Sequence, residues 1–121
     1  MRLLVDSALP DACDGVLRDG VELTRYHGEE VSDAALARHA SATGCEGVVF
    51  LGRRILGQRG LLELVEEADL LCVVVNEDEP NRAGEHLLAN LGLIPKHAQE
   101  SRVLIVLARE IQVAPPEAVS L

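Results

Sequence analysis

Met1-Arg-Leu-Leu-Val-Asp-Ser-Ala-Leu-Pro-Asp11 opens the chain with a short apolar run that stops at an acid. Residues 3–5 are strand-prone, and Pro10 favours the start of a helix soon afterwards, because proline is tolerated in a first helical turn. Asp6 should therefore lie where a strand ends. In open α/β sheets, ligands bind at the carboxyl ends of the strands. The stretch thus predicts an α/β sheet and the edge of that sheet at which a site would lie.

Four later segments also have the composition of strands. Residues 21–26 alternate apolar and polar side chains, which is typical of a strand near the edge of a sheet. Residues 47–51, 70–75 and 102–107 are instead almost continuously apolar. Such runs are typical of strands that are covered on both faces, as in a parallel sheet.

Helical signals fill most of the intervals between these strands. Apolar spacing, capping residues and terminal glycines predict helices at residues 11–18, from Ser32 or Asp33 to Gly44, at 61–67, and from Asn81 to Gly92. Ser32 and Asp33 are both suited to the N-cap of the second helix, so either residue can begin it.

The alternation of strands and helices predicts the fold class. We expect an α/β protein, a three-layer α/β/α sandwich with a five-stranded, mainly parallel sheet and right-handed crossovers. A chain of 121 residues is long enough for one hydrophobic core. The expected domain covers residues 1–112, and residues 113–121, which include Pro115 and Pro116, are expected to form a C-terminal tail.

Composition limits the partners and the compartment. The net charge is -9 and Lys96 is the only lysine, so we expect no general DNA binding and only local or metal-bridged contact with RNA. No apolar run approaches the length of a membrane span, and no basic segment precedes the first apolar run, so we expect a cytoplasmic protein. Cys13, Cys45 and Cys72 lack the close pairs of a zinc site, and we expect them to be small buried hydrophobic residues.

Residues 52–60 combine glycines with Arg53, Arg54 and Arg59 directly after the third predicted strand. The spacing is neither Gly-x-Gly-x-x-Gly nor a phosphate loop that ends in Gly-Lys-Ser/Thr, so it gives little support to a nucleotide-binding assignment. Arginine side chains can still hold a phosphate through two parallel hydrogen bonds. Alternatively, the three arginines form a solvated loop that pairs with nearby acids.

Two other functional classes find little support in the sequence. A response-receiver domain needs a carboxylate pair after the first strand, a phosphoacceptor Asp after the third and a lysine near the fifth. This chain has Asp6 alone, Leu51-Gly52 and no lysine at those places. A serine hydrolase is not supported either, because Ser7 and Ser32 have no histidine and acid in a recognisable nucleophile motif.

Three stretches of the chain resemble one protein family. They are Leu3-Leu-Val-Asp-Ser-Ala-Leu-Pro10, Val16-Leu-Arg-Asp-Gly-Val-Glu-Leu23, and Ser32-Asp-Ala-Ala-Leu-Ala-Arg-His-Ala40 ahead of a buried strand. Together they are similar to the small PIN-like domains of bacteria, which are similar to the ribonuclease toxins of toxin-antitoxin pairs. The later order of an apolar strand, a helix and a closing strand is similar as well, so the resemblance covers most of the chain.

The resemblance implies a divalent-metal site. In the family, one Asp ends the first strand, a second opens the helix before the third strand, and a third follows that strand. Asp6 and Asp33 match the first two positions, which makes them the implied catalytic residues and the implied ligands of Mg²⁺ or Mn²⁺. Hard divalent ions take oxygen ligands, and such an ion would activate water for phosphodiester hydrolysis.

The third position departs from the family pattern. Phe50-Leu-Gly-Arg-Arg-Ile55 contains no acid, and an arginine would repel a cation. The possible substitute metal ligands are Glu29, Glu30, Glu77 and Asp78, of which the last two follow the next strand. Arg53 or Arg54 is the implied phosphate-binding residue.

Each of these acids also has a structural interpretation. Asp6 can cap the first predicted helix or accept hydrogen bonds from loop amides, and Asp33 can cap its own helix. Residues 77–79 can form a solvated acidic turn before the next helix.

Two functional classes therefore remain open. The first is a metal-dependent ribonuclease that uses Asp6 and Asp33. The second is a PIN-like domain with a degenerate active site, which binds a protein partner, or RNA without cleaving it. The expected partners are accordingly RNA, an antitoxin-like protein or a second copy of the chain, with no membrane.

Overall fold

The computed structural model describes residues 1–30 and 32–113. Its strands are β1 (Arg2–Val5), β2 (Leu17–Arg18), β3 (Val21–Arg25), β4 (Gly47–Leu51), β5 (Leu71–Val75), β6 (Val103–Val106) and β7 (Ile111–Val113). Its α-helices are α1 (Asp33–Ala42), α2 (Arg59–Glu67), α3 (Pro80–Ala89) and α4 (Ile94–Ala98), and short 3-10 helices cover Asp11–Cys13, Arg53–Gly57 and Leu91–Leu93. Within these two ranges, no helix has the length and apolar character needed to cross a membrane.

The strands form one mixed sheet in the order β2-β3-β1-β4-β5-β6-β7. Neighbouring strands from β3 to β6 are parallel, whereas β2 and β7 pair antiparallel at the two edges. The α/β class is confirmed. The described part of the chain has a sheet of seven strands, however, and not the expected five.

The expectation of a helix over residues 11–18 is wrong. Only Asp11–Cys13 forms a helical turn, and Leu17–Arg18 pairs antiparallel with β3. Asp19 and Gly20 both have positive φ angles, 55° and 79°. A two-residue turn of this kind matches the twist of the strands on either side, and Asp-Gly is one of its favoured sequences. The dipeptide therefore makes a hairpin between β2 and β3 where a helix end was expected.

The strand β7 was also not expected, because a segment of three residues is too short to show a periodic pattern. Ile111–Val113 pairs antiparallel with β6. The expected C-terminal tail would begin at residue 113, which is the last residue of β7. Residues 114–121, which include both prolines of that tail, lie outside the described residues.

Alternate side chains of the sheet enter two apolar layers. Val5, Val49 and Val73 lie on the face that packs against α3 and α4, whereas Leu4 and Val48 lie on the face that packs against α1 and α2. Both faces of the central strands are therefore buried. This explains why these strands are almost continuously apolar in sequence.

The helices α2 and α3 cover opposite faces of the sheet. The strands β4, β5 and β6 lie side by side in this order and are parallel. The connection from β4 to β5 through α2 and the connection from β5 to β6 through α3 and α4 therefore both move across the sheet in the same direction. Two such crossovers on opposite faces have opposite hands. The expectation that every crossover is right-handed is therefore wrong for one of them. The right-handed preference applies to a strand that is followed by a single helix, which then packs on the sheet. The connection from β5 to β6 is different, because it contains two helices and a 3-10 turn.

The cysteines Cys13, Cys45 and Cys72 are buried and free, as expected. Burial raises the pKa of the Cys72 thiol to about 12. Burial also raises the pKa of Cys13, although the nearby Arg25 acts in the opposite direction. A protonated buried thiol is a poor nucleophile, so Cys13 and Cys72 serve as small apolar residues.

Asn90 is the one polar residue that is buried among those described, with 3% of its surface exposed. Its side-chain Nδ2 donates to the carbonyl oxygens of His86 at 2.8 Å and Leu107 at 2.9 Å. These bonds join the end of α3 to the chain that leaves β6. Asn90 thereby fixes the end of a helix, where carbonyl groups need partners from outside the helix, to the chain that leaves the sheet.

The substitution Asn90→Ala should lower the free energy of unfolding by about 1–3 kcal/mol, because the Leu107 carbonyl oxygen would lose its side-chain donor and the His86 carbonyl oxygen would keep only the backbone N–H of residue 90. Asn81→Ala, at an exposed position in the first turn of α3, is the matched control and should change it by less than about 0.5 kcal/mol. Urea unfolding of the wild type and both variants measures the difference. Equal losses in the two variants would contradict the assigned role.

Candidate functional site

The carboxyl ends of β1 and β4 lie side by side near the middle of the sheet. The chain leaving β1 joins the α3–α4 face through Cys13, whereas the chain leaving β4 joins the α1–α2 face through Ile55. Adjacent loops that diverge in this way leave a crevice at the edge of a sheet. A pocket of about 380 Å³ lies at this edge. Its lining residues are Asp6, Ser7, Ala8, Tyr26, Ser32, Asp33, Leu36, Leu51 and Arg54.

Asp6 lies directly after β1 and is held by the backbone around it. Its Oδ1 accepts a hydrogen bond from the Ala8 N–H at 3.0 Å, and its Oδ2 accepts a longer one from the Leu51 N–H at 3.4 Å. The Asp6 N–H in turn donates to the Val49 carbonyl oxygen at 2.9 Å. The structural interpretation of Asp6 as an acceptor for loop amides is thus confirmed. Each carboxylate oxygen can accept further bonds, so the same side chain can also face a ligand.

Asp33 is the first residue of α1, but it does not cap the helix. Ser32 is the N-cap, and its Oγ accepts the Ala35 N–H at 3.1 Å. The Asp33 carboxylate is therefore available to the pocket. Its Oδ2 lies 3.4 Å from Gln58 Nε2 and 3.8 Å from Arg54 Nη2.

Arg54 folds back over the end of β4. Its Nη1 donates to the Leu51 carbonyl oxygen at 2.8 Å. Gly52 makes this path possible, because a Cβ at that position would lie only 2.8 Å from Nη1. Gly52 also has a φ of 93°, a conformation that side chains other than glycine rarely adopt.

The remaining predicted site residues do not line this pocket. Glu77 and Asp78 follow β5, the neighbour of β4, and the Glu77 Oε1 accepts the Glu79 N–H at 3.2 Å. The Asp78 Oδ1 lies 3.4 Å from the position that a Cβ of Gly52 would take. Arg53 is exposed. The structure therefore brings Asp6, Asp33 and Arg54 together.

No cluster of three or more histidine, cysteine, aspartate or glutamate residues is positioned to hold a metal ion within residues 1–30 and 32–113. The charged side chains that line the pocket are two carboxylates and one guanidinium. Such a set can bind a ligand that has both a positive and a negative group, or a cation and an anion together.

Arg25 is a residue that sequence reasoning missed. Its Nη2 and Nε both donate to the Ser7 carbonyl oxygen, at 2.7 and 3.2 Å, and its Nη1 pairs with Asp11. The N–H of Arg25 donates to Asp14, and this bond and one from His27 lower the pKa of the Asp14 carboxyl. Arg25 therefore holds the loop that follows Asp6. The available sequence signal was its position at the end of the alternating strand. In the structure, Arg25 lies opposite Val5, the last residue of β1.

Tyr26 and Gln58 were missed as well. Tyr26 is buried in the wall of the pocket, and its hydroxyl donates to the Glu30 carbonyl oxygen at 3.0 Å. Gln58 precedes α2, and its Nε2 donates to the Asp33 carboxylate at 3.4 Å. Tyr26 contacts an irregular loop, and Gln58 contacts a residue that is remote in sequence. No local pattern in the sequence predicts such contacts.

Comparison of the chain with protein-family models, with curated proteins and with solved structures gave no match in any of the three.

The substitution Arg25→Met should loosen the loop that carries Asp6, because the Ser7 carbonyl oxygen would lose both of its guanidinium donors. The amides of Ala8 and Leu9, which donate to Asp6, should then exchange with deuterium about tenfold faster. Arg18→Met is the matched control, because Arg18 donates to the Leu88 carbonyl oxygen elsewhere. Unchanged exchange at Ala8 and Leu9 would show that Arg25 does not hold this loop.

Proposed function

We propose that this chain is a PIN-like domain whose pocket derives from the divalent-metal site of a ribonuclease. The observation that carries the proposal is that Asp6 and Asp33 line one pocket. These are the two residues for which the family resemblance implies metal coordination. They come from separate elements and meet at the carboxyl edge of a parallel region, where α/β proteins bind ligands.

The donor set of the pocket fits Mg²⁺ or Mn²⁺ in part. Mg²⁺ is often bound through one or two carboxylates and keeps several waters, so Asp6 and Asp33 meet its minimum requirement. Ser7 and Ser32 line the same pocket and add hydroxyl oxygens. When bound, such an ion would activate a water molecule for hydrolysis of a phosphodiester.

Arg54 is the residue suited to the phosphate of a substrate. Its side chain is 63% exposed beside the pocket, so it can be reached from solvent. A guanidinium presents two parallel N–H groups that match the oxygens of a phosphate. In a chain of net charge -9, a local cation would also reduce the repulsion of an incoming phosphodiester.

A second candidate function is binding without catalysis, and one observation favours it. Arg54 follows β4, where the family has its third acid, and its Nη2 lies 3.8 Å from Asp33. A guanidinium in this place neutralises part of the charge that a metal would need. The pocket would then bind RNA without cleaving it, or it would contact an antitoxin-like protein or a second copy of the chain.

Calorimetric titration with Mn²⁺ tests the metal site. The wild type should bind the ion, and Asp6→Asn and Asp33→Asn should each weaken binding by at least about tenfold, because each removes a negative ligand. Glu63→Gln, which removes an exposed acid from α2, is the matched control and should leave binding unchanged. A wild type that shows neither heat of binding nor a thermal shift at millimolar Mn²⁺ would rule out the proposed site.

Incubation with a labelled single-stranded RNA separates the two candidate functions. A ribonuclease should cleave the RNA with Mn²⁺, and both EDTA and Asp6→Asn should abolish cleavage, because the metal and its ligand are required together. Asp6→Asn purified in parallel controls for contaminating nucleases. Mn²⁺ binding without cleavage would favour the binding module and count against the enzyme.

A further inference from the structure

The proposed metal pocket already contains a cation, the guanidinium of Arg54. This group is anchored at two points, since Nη1 donates to the Leu51 carbonyl oxygen at 2.8 Å and Nη2 lies 3.8 Å from Asp33 Oδ2. The first contact is a hydrogen bond to backbone at the end of β4. The second is an ion pair with one of the two carboxylates that would hold a metal.

The fold accommodates this placement of Arg54. A Cβ at Gly52 would lie 2.8 Å from Nη1, so a larger residue there would force the guanidinium to leave its present position. Asp33 is free to receive it because Ser32 caps α1 in its place. The pairing of Arg54 with Asp33 thus depends on the identity of two neighbouring residues as well as on the pair itself.

We propose that Arg54 and a divalent cation compete for Asp33, and that a phosphodiester relieves the competition by taking the guanidinium. The inference rests on the proposed function, because it concerns the same pocket. A divalent ion beside Asp33 is repelled by a guanidinium that occupies the same carboxylate. A phosphodiester offers Arg54 a bidentate anionic partner in exchange.

The proposal makes cation binding and phosphodiester binding mutually dependent. If a phosphodiester raises the affinity for the cation, the cation must raise the affinity for the phosphodiester by the same factor. Arg54 is the residue through which this coupling acts. The pocket would therefore favour the metal together with its substrate over the metal alone.

Manganese titrations of three proteins at constant ionic strength test the inference. They use the wild type, Arg54→Gln, and Arg38→Gln as the matched control. Arg38 lies on the same helix as Asp33, pairs with Glu30 at 3.7 Å and does not line the pocket. Both substitutions change the net charge equally, so they share any general effect of charge on cation binding.

Without phosphodiester, Arg54→Gln should bind Mn²⁺ about fivefold more tightly than the wild type, the upper range for loss of a competing exposed ion pair. Arg38→Gln should stay within about twofold of the wild type, because its charge is not held at Asp33. Addition of dimethyl phosphate, as a simple phosphodiester, should increase the Mn²⁺ affinity of the wild type and of Arg38→Gln, and should leave that of Arg54→Gln unchanged.

The outcomes separate this inference from the proposed function. Equal Mn²⁺ affinity of the wild type and Arg54→Gln, or an equal gain in Arg38→Gln, would overturn the competition while the metal site stands. A dimethyl phosphate response that persists in Arg54→Gln would overturn the role of Arg54 in coupling. Absence of Mn²⁺ binding in all three proteins would overturn the proposed function and the inference with it.

Discussion

The strand β1 is hydrogen-bonded along both of its edges, to β3 on one side and to β4 on the other. These ladders continue past the strand, since the Tyr26 N–H donates to the Val5 carbonyl oxygen and the Asp6 N–H donates to the Val49 carbonyl oxygen. Because side chains alternate between faces, a slip of one residue would exchange the two apolar layers and would move either Arg2 or Asp6 into a position that Leu3 or Val5 now buries. Burial on both faces thus fixes the register, and the register places Asp6 beside the end of β4. The candidate site is in this sense a consequence of how β1 is paired.

Continuous apolar runs made the buried strands predictable, and the capping residues of α1 made that helix predictable. The segment around Leu17 was misread because Asp19-Gly20 serves equally well as a helix end and as a hairpin turn, and only pairing with β3 decides between them. Helix α4 and strand β7 have five and three residues, too few for a periodic pattern. The opposite hands of two crossovers could not be foreseen at all, because the face on which a helix packs is a property of the assembled sheet.

In the candidate site, Asp6 and Asp33 could be proposed from sequence because each occupies a recognisable end of an element. The contacts of Arg25 with Ser7 and of Gln58 with Asp33 could not, since they depend on loops that meet only in the folded chain. Arg54 was visible as a basic residue in an acidic chain, but its contact with Asp33 depends on the conformation of Gly52. Sequence thus indicated the chemical groups, and the fold decided which of them meet.

The change of face between α2 and α3 has an effect at the carboxyl edge of the sheet. The chain leaves β4 toward one face and β5 toward the other, so these two strands diverge at their ends just as β1 and β4 do. Gly52 directly follows β4, and its N–H donates to the Val75 carbonyl oxygen of β5 at 3.0 Å. The Arg54 guanidinium and the Asp78 carboxylate both lie close to the position that a Cβ of Gly52 would take. The space that a side chain of Gly52 would fill is therefore bordered both by the Arg54 guanidinium, which lines the pocket of Asp6 and Asp33, and by the carboxylate of the acidic turn that follows β5.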